Sequence, residues 1–486
     1  RRQRQMCIRD RDISTQLGMV SAGTPRIDTN GNNITFASAF GSNSTSALTK
    51  MGSGTLTLGG TNTFGGAFTI STGAVRISNG QGLGTNAGVT TVSNGAALYF
   101  EGDITTPTEG LTISGTGLSS DGVLRNLSGA NTFAGSVTMA AASRMGGVVS
   151  GTFELSKDGP GTLVLGSASN SFSGSLFVLG GTVSYSTAAN QNAASALGQN
   201  NNGPGGMIGT LGSSPVTGSK PFTLLNTGIF RVENPDTALT ISGLIGGTAD
   251  LRKAGSGTLA LTNNNTFTGT LSVESGSLLV ATYTNAGTAG QLGAGSQAVV
   301  LGAAGFSGTL SYTGGSGSST KPLTLATGGE GALNVLNSTT NLTLTGTLDG
   351  GGVFRKSGSG TLTLTGSSTF SGALRLETGT LRVGRSASLS DFTTAGKVSV
   401  SPGATLSLLY GTASDWTGAD LSSFLATSNT YAVGSTLALE TTAASTITTS
   451  LAPSVSLAKY GSTTLTLTGA NQFPSPLQVM AGALVV

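Results

Sequence analysis

Lys50-Met-Gly-Ser-Gly-Thr-Leu-Thr-Leu58 is a phrase that this chain repeats. It returns as Lys157-Asp-Gly-Pro-Gly-Thr-Leu-Val-Leu165, Lys253-Ala-Gly-Ser-Gly-Thr-Leu-Ala-Leu261, Lys356-Ser-Gly-Ser-Gly-Thr-Leu-Thr-Leu364 and Lys459-Tyr-Gly-Ser-Thr-Thr-Leu-Thr-Leu467. A strand-and-turn unit this short cannot bury its own apolar side. It must stack on copies of itself, so the recurrence predicts a solenoid.

The unit extends beyond its opening. After Leu58 come Asn62-Thr-Phe64, Gly66, Phe68-Thr-Ile70, Gly73 and Val75-Arg-Ile77. Equivalent runs follow Leu261 and Leu364, and a weaker copy keeps Asn131-Thr-Phe133, Gly135 and Val137-Thr-Met139. Apolar residues alternate with Thr, Ser or Arg, which places one face inward and one in water. Leu56, Leu58, Phe64, Phe68, Ile70, Val75 and Ile77 are therefore expected inside, with Thr55, Thr57 and Arg76 outside. Glycines stand where the chain must turn sharply.

The repeated lysines are 107, 96, 103 and 103 residues apart. Blocks of that length divide into four or five coils of ~20–25 residues, and the whole chain into about twenty. Tandem β-sandwiches are the competing reading of such a period. No block carries a cysteine pair or its own core Trp, and no linker separates the blocks, which favours the solenoid.

Composition agrees. Of 486 residues, 78 are Gly and 9% are charged, which suits strands and tight turns. The formal charge of +3 comes from the first dozen residues. Five of the 23 basic and two of the 20 acidic groups lie there, leaving 18 against 18. The body has no electrostatic footprint for nucleic acid or an anionic membrane. Residues 1–12 read as a non-native or disordered leader, with Met6-Cys7-Ile8-Arg9-Asp10-Arg11 resembling a translated sequencing-library adapter; a genuine basic leader is the alternative. No apolar run of signal-peptide form follows it, and no run is long enough for a membrane-spanning helix. Cys7 is the only cysteine, so no disulfide is expected in the body.

One stretch departs from the pattern. Leu421, Phe424 and Leu425 fit one face of a short helix near 417–426, with Thr417 as N-cap and Asp420 three residues on. Trp416 beside it is read as part of a small lid over the core, with a sugar-stacking role as the alternative.

The phrase Lys-x-Gly-x-Gly-Thr-Leu-x-Leu, followed by Asn-Thr-Phe, Gly and a closing Gly-Thr-Leu-x-Val, resembles the autotransporter-associated β-strand repeat, also called the passenger-associated transport repeat. The copies start near 50, 124, 157, 253, 356 and 459. The resemblance implies an all-β, right-handed parallel β-helix with residues 13–486 forming one continuous passenger region. It further implies export across the outer membrane of a Gram-negative bacterium and display at the cell surface or outside the cell. The implied partner is an outer-membrane β-barrel translocator, outside this stretch of sequence.

Chemistry is sparse. Without histidine, Ser-His-Asp and Cys-His arrangements are excluded and zinc sites are disfavoured. No phosphate loop or dinucleotide fingerprint occurs. Glu274 and Glu377 occupy equivalent positions 103 residues apart, hence ~20 Å or more, too far for a glycosidase pair. Glu101 and Asp103 read as solvated surface acids. The five repeated lysines read as turn residues that keep their charge in water and discourage edge pairing. The expectation is a non-catalytic stalk or adhesin scaffold, with no catalytic, metal or cofactor residues. A carbohydrate-active β-helix enzyme is the alternative, and Thr-rich outer faces leave glycan binding or self-association open.

Overall fold

The structure, a computed structural model, describes residues 12–17, 24–41, 44–120, 227–451, 457–473 and 477–486, with shorter stretches, mostly strands, between 122 and 225. Residues 1–11, with Cys7, lie outside the described residues, as do the side chains of Lys157 and Lys220.

The chain divides into two units, Arg1–Ile229 and Phe230–Val486. In the first, Leu48–Met51 pairs with Phe68–Ile70, which pairs with Val89–Val92, which pairs with Gly110–Gly115. Beside that ladder run Ile34–Phe36, Thr55–Leu58, Gly73–Ile77 and Ala96–Glu101. Among its described residues the second unit has three long ladders of this kind and a short one of Ser445–Ile447, Thr464–Leu467 and Ala483–Val485. One links Leu251–Ala254, Leu271–Val273, Val299–Leu301, Leu323–Leu325 and Leu348–Gly350. A second includes Thr258–Leu261, Gly276–Val280, Ser307–Tyr312, Glu330–Val335, Val353–Ser357 and Leu374–Leu376. The third includes Thr361–Leu364, Thr380–Val383, Thr405–Tyr410, Thr436–Thr441 and Leu457–Tyr460.

These ladders are parallel, and each joins a strand to its counterpart one coil later. That excludes sandwiches of antiparallel hairpins and makes the fold an all-β solenoid. It has about 16 turns, fewer than the twenty expected. The reason is uneven coil length. Thr258 has its register partner at Ser277, whereas Ser277 has its own only at Thr309, a markedly longer step along the chain. Loops inserted between strands lengthen coils without adding any.

The period-two alternation sets the core. Leu56, Leu58, Phe64, Phe68, Ile70, Val75 and Ile77 are each at most 1% exposed, and a buried side chain of this size stabilises by about 1.5–3 kcal/mol. Thr55, Thr57 and Arg76 lie at the partly exposed surface. Phe36, Phe40, Phe64 and Phe68 form a continuous aromatic run with centroids 5.4–5.6 Å apart.

The expected helix spans Gly418–Ala426. Thr417 Oγ1 accepts from the Asp420 N–H at 3.1 Å and the Asp420 carboxylate accepts from the Thr417 N–H, a capping box. Leu421, Phe424 and Leu425 are buried beneath it. Trp416 is 1% exposed, donates its indole N–H to the Val383 carbonyl at 3.1 Å, and packs edge-on against Phe392 and Phe424. It belongs to the core of the lid and presents no ring to a sugar.

Candidate functional site

The repeated lysines are the main departure from the sequence reading. Lys50, Lys253, Lys356 and Lys459 are each 0% exposed. They do not hold their charge in water at a turn. The alternation that buries Leu48 two residues earlier also turns Lys50 inward, and Phe354 and Lys356 share a face in the same way. Aliphatic residues flank Lys50 and Lys356 along the stack: Ile27, Lys50 and Ile70 are register partners, as are Leu333, Lys356 and Leu376.

A buried ammonium needs acceptors for its three N–H bonds. Backbone carbonyls supply them. Lys356 Nζ donates to Ser357 O and Gly358 O, both at 2.9 Å, and to Thr378 O at 3.1 Å. Lys253 Nζ donates to Ala254 O, Gly255 O and Ser275 O at 2.7–2.9 Å. Lys459 Nζ donates to Tyr460 O, Gly461 O and Ala481 O at 2.5–3.0 Å. Lys50 Nζ donates to Gly52 O, Gly54 O and Thr72 O at 2.5–2.8 Å. In every case two carbonyls belong to the turn just after the lysine, and the third comes from the next coil. The lysine is thus a clasp between successive coils. Burial pulls its pKa down, to about 7 for Lys253 and about 8 for Lys50 and Lys356, with the Glu233 carboxylate opposing the shift at Lys253 and Asp28 opposing it at Lys50.

A glycine completes each clasp. Gly73, Gly276, Gly379 and Gly482 have φ between +66° and +71°. A Cβ on Gly379 would press on the Gly358 and Gly360 carbonyl oxygens and stand 3.0 Å from Lys356 Nζ.

Two other lysines are buried as well, and they reach back to the preceding coil. Lys321 Nζ donates to Gly295 O at 2.6 Å, and Lys397 Nζ to Phe370 O at 2.9 Å, with its ammonium 4.1 Å from the Phe370 ring centre. The recurrent asparagine joins three coils. Asn62 Oδ1 accepts from the Phe40 N–H at 3.1 Å, and its Nδ2 donates to Gly82 O at 2.7 Å. Asn265 does the same with Ile245 N–H and Gln291 O. Sequence reasoning gave this residue no role; its fixed place before the buried Phe was the available signal.

The charged groups at the surface are arginines and carboxylates. Arg252 binds Glu274 at 2.6 Å, and Arg355 binds Glu377 at 2.6 Å and Glu330 at 3.5 Å. Arg382 grips Glu440 across two coils with two bonds of 2.5 and 2.8 Å, and Ser407 Oγ joins them at 2.9 Å. Glu101 pairs with Arg76, so it is more than a solvated acid. Glu109 differs: it is 2% exposed and takes a hydrogen bond from Thr90 Oγ1, and its other oxygen has no partner. Burial pushes its carboxyl up to about 7. Among the described residues, no three of Cys, Asp and Glu come together as a potential metal site, and no helix is long and apolar enough to cross a membrane.

Five stretches, residues 48–77, 155–184, 251–280, 354–383 and 457–486, match the model of the passenger-associated-transport-repeat. The chain carries five passenger-associated transport repeats. The weaker copy near 124 is not among the matched stretches. Over 276 residues the chain is 34% identical to the adhesin BmaC autotransporter of Brucella suis biovar 1 (strain 1330), a match that covers 54% of this chain and 8% of that protein. No solved structure matches the chain.

Each of the four repeats whose lysine side chain is described contains one whole clasp. The lysine is the third residue of every matched stretch, and the turn carbonyls follow within the next four residues. The forward carbonyl of Thr72, Ser275, Thr378 or Ala481 is the twenty-fifth and the glycine the twenty-sixth. One coil closes sooner than that: Leu48, which opens the first matched stretch, already has its register partner at Phe68. A repeat must therefore exceed one coil to hold both ends of its clasp.

Proposed function

We propose that this chain is part of an exported passenger displayed at the bacterial surface or released outside, where it serves as a non-catalytic β-solenoid scaffold. The observation that carries this reading is the pairing of five passenger-associated transport repeats with a parallel solenoid, in which the four repeats with a described lysine clasp successive coils. The similarity to an autotransporter adhesin supports adhesion as the task of the longer protein, and an outer-membrane β-barrel as its translocator. Residues 13–486 are read as one passenger region, and residues 1–12 as a leader foreign to it.

The physics suits export. A body free of cysteine can cross a pore as an open chain, and stacking of each coil on its neighbour then supplies the free energy of folding outside. Glu274 and Glu377 are held by arginines, which supports a scaffold over a carbohydrate hydrolase.

The test places the chain between a secretory leader and an outer-membrane β-barrel in a Gram-negative host. Cleavage by external protease should show the chain at the surface. A Thr361→Cys/Thr380→Cys pair, at register partners, should oxidise in the periplasm and block display, with reductant restoring it. Retention of the cysteine-free chain inside the cell, or export that ignores a proven disulfide, would contradict the proposal.

A further inference from the structure

The hydrophobic pattern of these coils leaves their alignment ambiguous. Thr361-Leu-Thr-Leu364 lies on Thr380-Leu-Arg-Val383, with Leu362 on Leu381 and Leu364 on Val383. A slip of two residues keeps aliphatics inward and polar residues outward, because side chains alternate with period two. Coil length does not remove the ambiguity either, since successive coils differ in length, as the steps from Thr258 to Ser277 and from Ser277 to Thr309 show. The Gly-, Thr- and Ser-rich loops can absorb two residues at little cost.

The buried lysine resolves it. A two-residue slip carries the forward carbonyl about 6.6 Å along the strand. Thr378 O, which accepts from Lys356 Nζ at 3.1 Å, lies in the bend between Leu374–Leu376 and Thr380–Val383, and the slip carries that bend away from the ammonium. The Gly379 site, which has no room for a Cβ against the Gly358 and Gly360 carbonyls, would be filled by a neighbour that carries one. A leucine in the lysine's place would accept both alignments. We infer that the repeat lysines are register pins: each selects one alignment of its coil on the next, and together they reset the stacking at intervals along the solenoid. Buried polar groups that select register at the expense of stability are known in coiled coils, where a single buried Asn does this work. The inference concerns the folded chain and is independent of how it is exported.

The experiment uses the full chain with Cys7→Ser and two alternative cysteine pairs. Thr361→Cys/Thr380→Cys reports the native register, and Thr363→Cys/Thr380→Cys reports a two-residue slip. With Lys356 present, only the native pair should form a disulfide under mild oxidation. In Lys356→Met, oxidation of the slipped pair should rise roughly tenfold, the effect of losing about 1.4 kcal/mol of discrimination. Lys356→Gln keeps two N–H donors and should stay close to the native pattern. A Lys356→Met chain that still oxidises only the native pair would overturn the inference, as would slipped-pair oxidation with Lys356 in place. If both variants unfold, the lysine holds the fold together without choosing its register, and the inference also fails.

Discussion

Lys356 and Thr378 lie on successive coils, and the amine of one donates to the carbonyl of the other at 3.1 Å inside the core. The same relation recurs between Lys50 and Thr72, Lys253 and Ser275, and Lys459 and Ala481. A buried lysine amine thus spans a coil boundary in the four repeats whose lysine side chain is described.

The glycine at the clasp gives the first prediction. Gly379→Ala combines two costs: a left-handed backbone with φ of +69°, and a Cβ forced onto two carbonyls and the ammonium. Gly434 has φ of +83° and open space around a Cβ. Gly434→Ala should therefore show the backbone cost alone, about 1–2 kcal/mol. Gly379→Ala should lose clearly more, with amide exchange accelerating near Lys356. Equal losses in denaturant unfolding would mean that the crowding at the clasp has no energetic weight.

Glu109 predicts a pH dependence in the first unit. Burial raises its folded pKa to about 7 from 4.5. Ionisation is harder in the fold than in the open chain, so between about pH 4.5 and 7 the folded state holds more protons. Stability should then fall as pH rises through that window, by at most about 1.4 kcal/mol per unit. Glu109→Gln should flatten this dependence when unfolding is followed from pH 4.5 to 7.5. An unchanged slope in that variant would show that Glu109 is not its source.

Much of the fold was legible because period-two alternation is a direct statement about which side chains face inward. The core from Leu56 to Ile77 follows from it, and the capped helix after Thr417 follows from the helical spacing of Leu421, Phe424 and Leu425. The lysines were misread because charge was given priority over pattern. Lys50 lies on the inward face with Leu48, and that position held the answer. What no sequence pattern displays is the acceptor set, since backbone carbonyls leave no mark on composition. The coil count was overestimated for a related reason: loops of any length can join strands that stack in register.

The lid offers a spectroscopic prediction. Trp416 is the only tryptophan in the chain and is 1% exposed, so the native emission should be blue-shifted and poorly quenched by iodide. Thr417→Ala removes the capping oxygen bonded to the Asp420 N–H and should cost about 1 kcal/mol. The lid should then open before the coils, seen as Trp416 quenching at denaturant concentrations where strand signal persists. Ready quenching in the unmodified native protein would place Trp416 outside the core.

Amine acylation of the native chain, read residue by residue by mass spectrometry, tests the clasp most directly. Lys50, Lys253, Lys356 and Lys459 should resist the reagent while the coils are stacked and react fully once denaturant unstacks them. Acylation of those four amines in the native state, at the rate of a free lysine, would contradict the account.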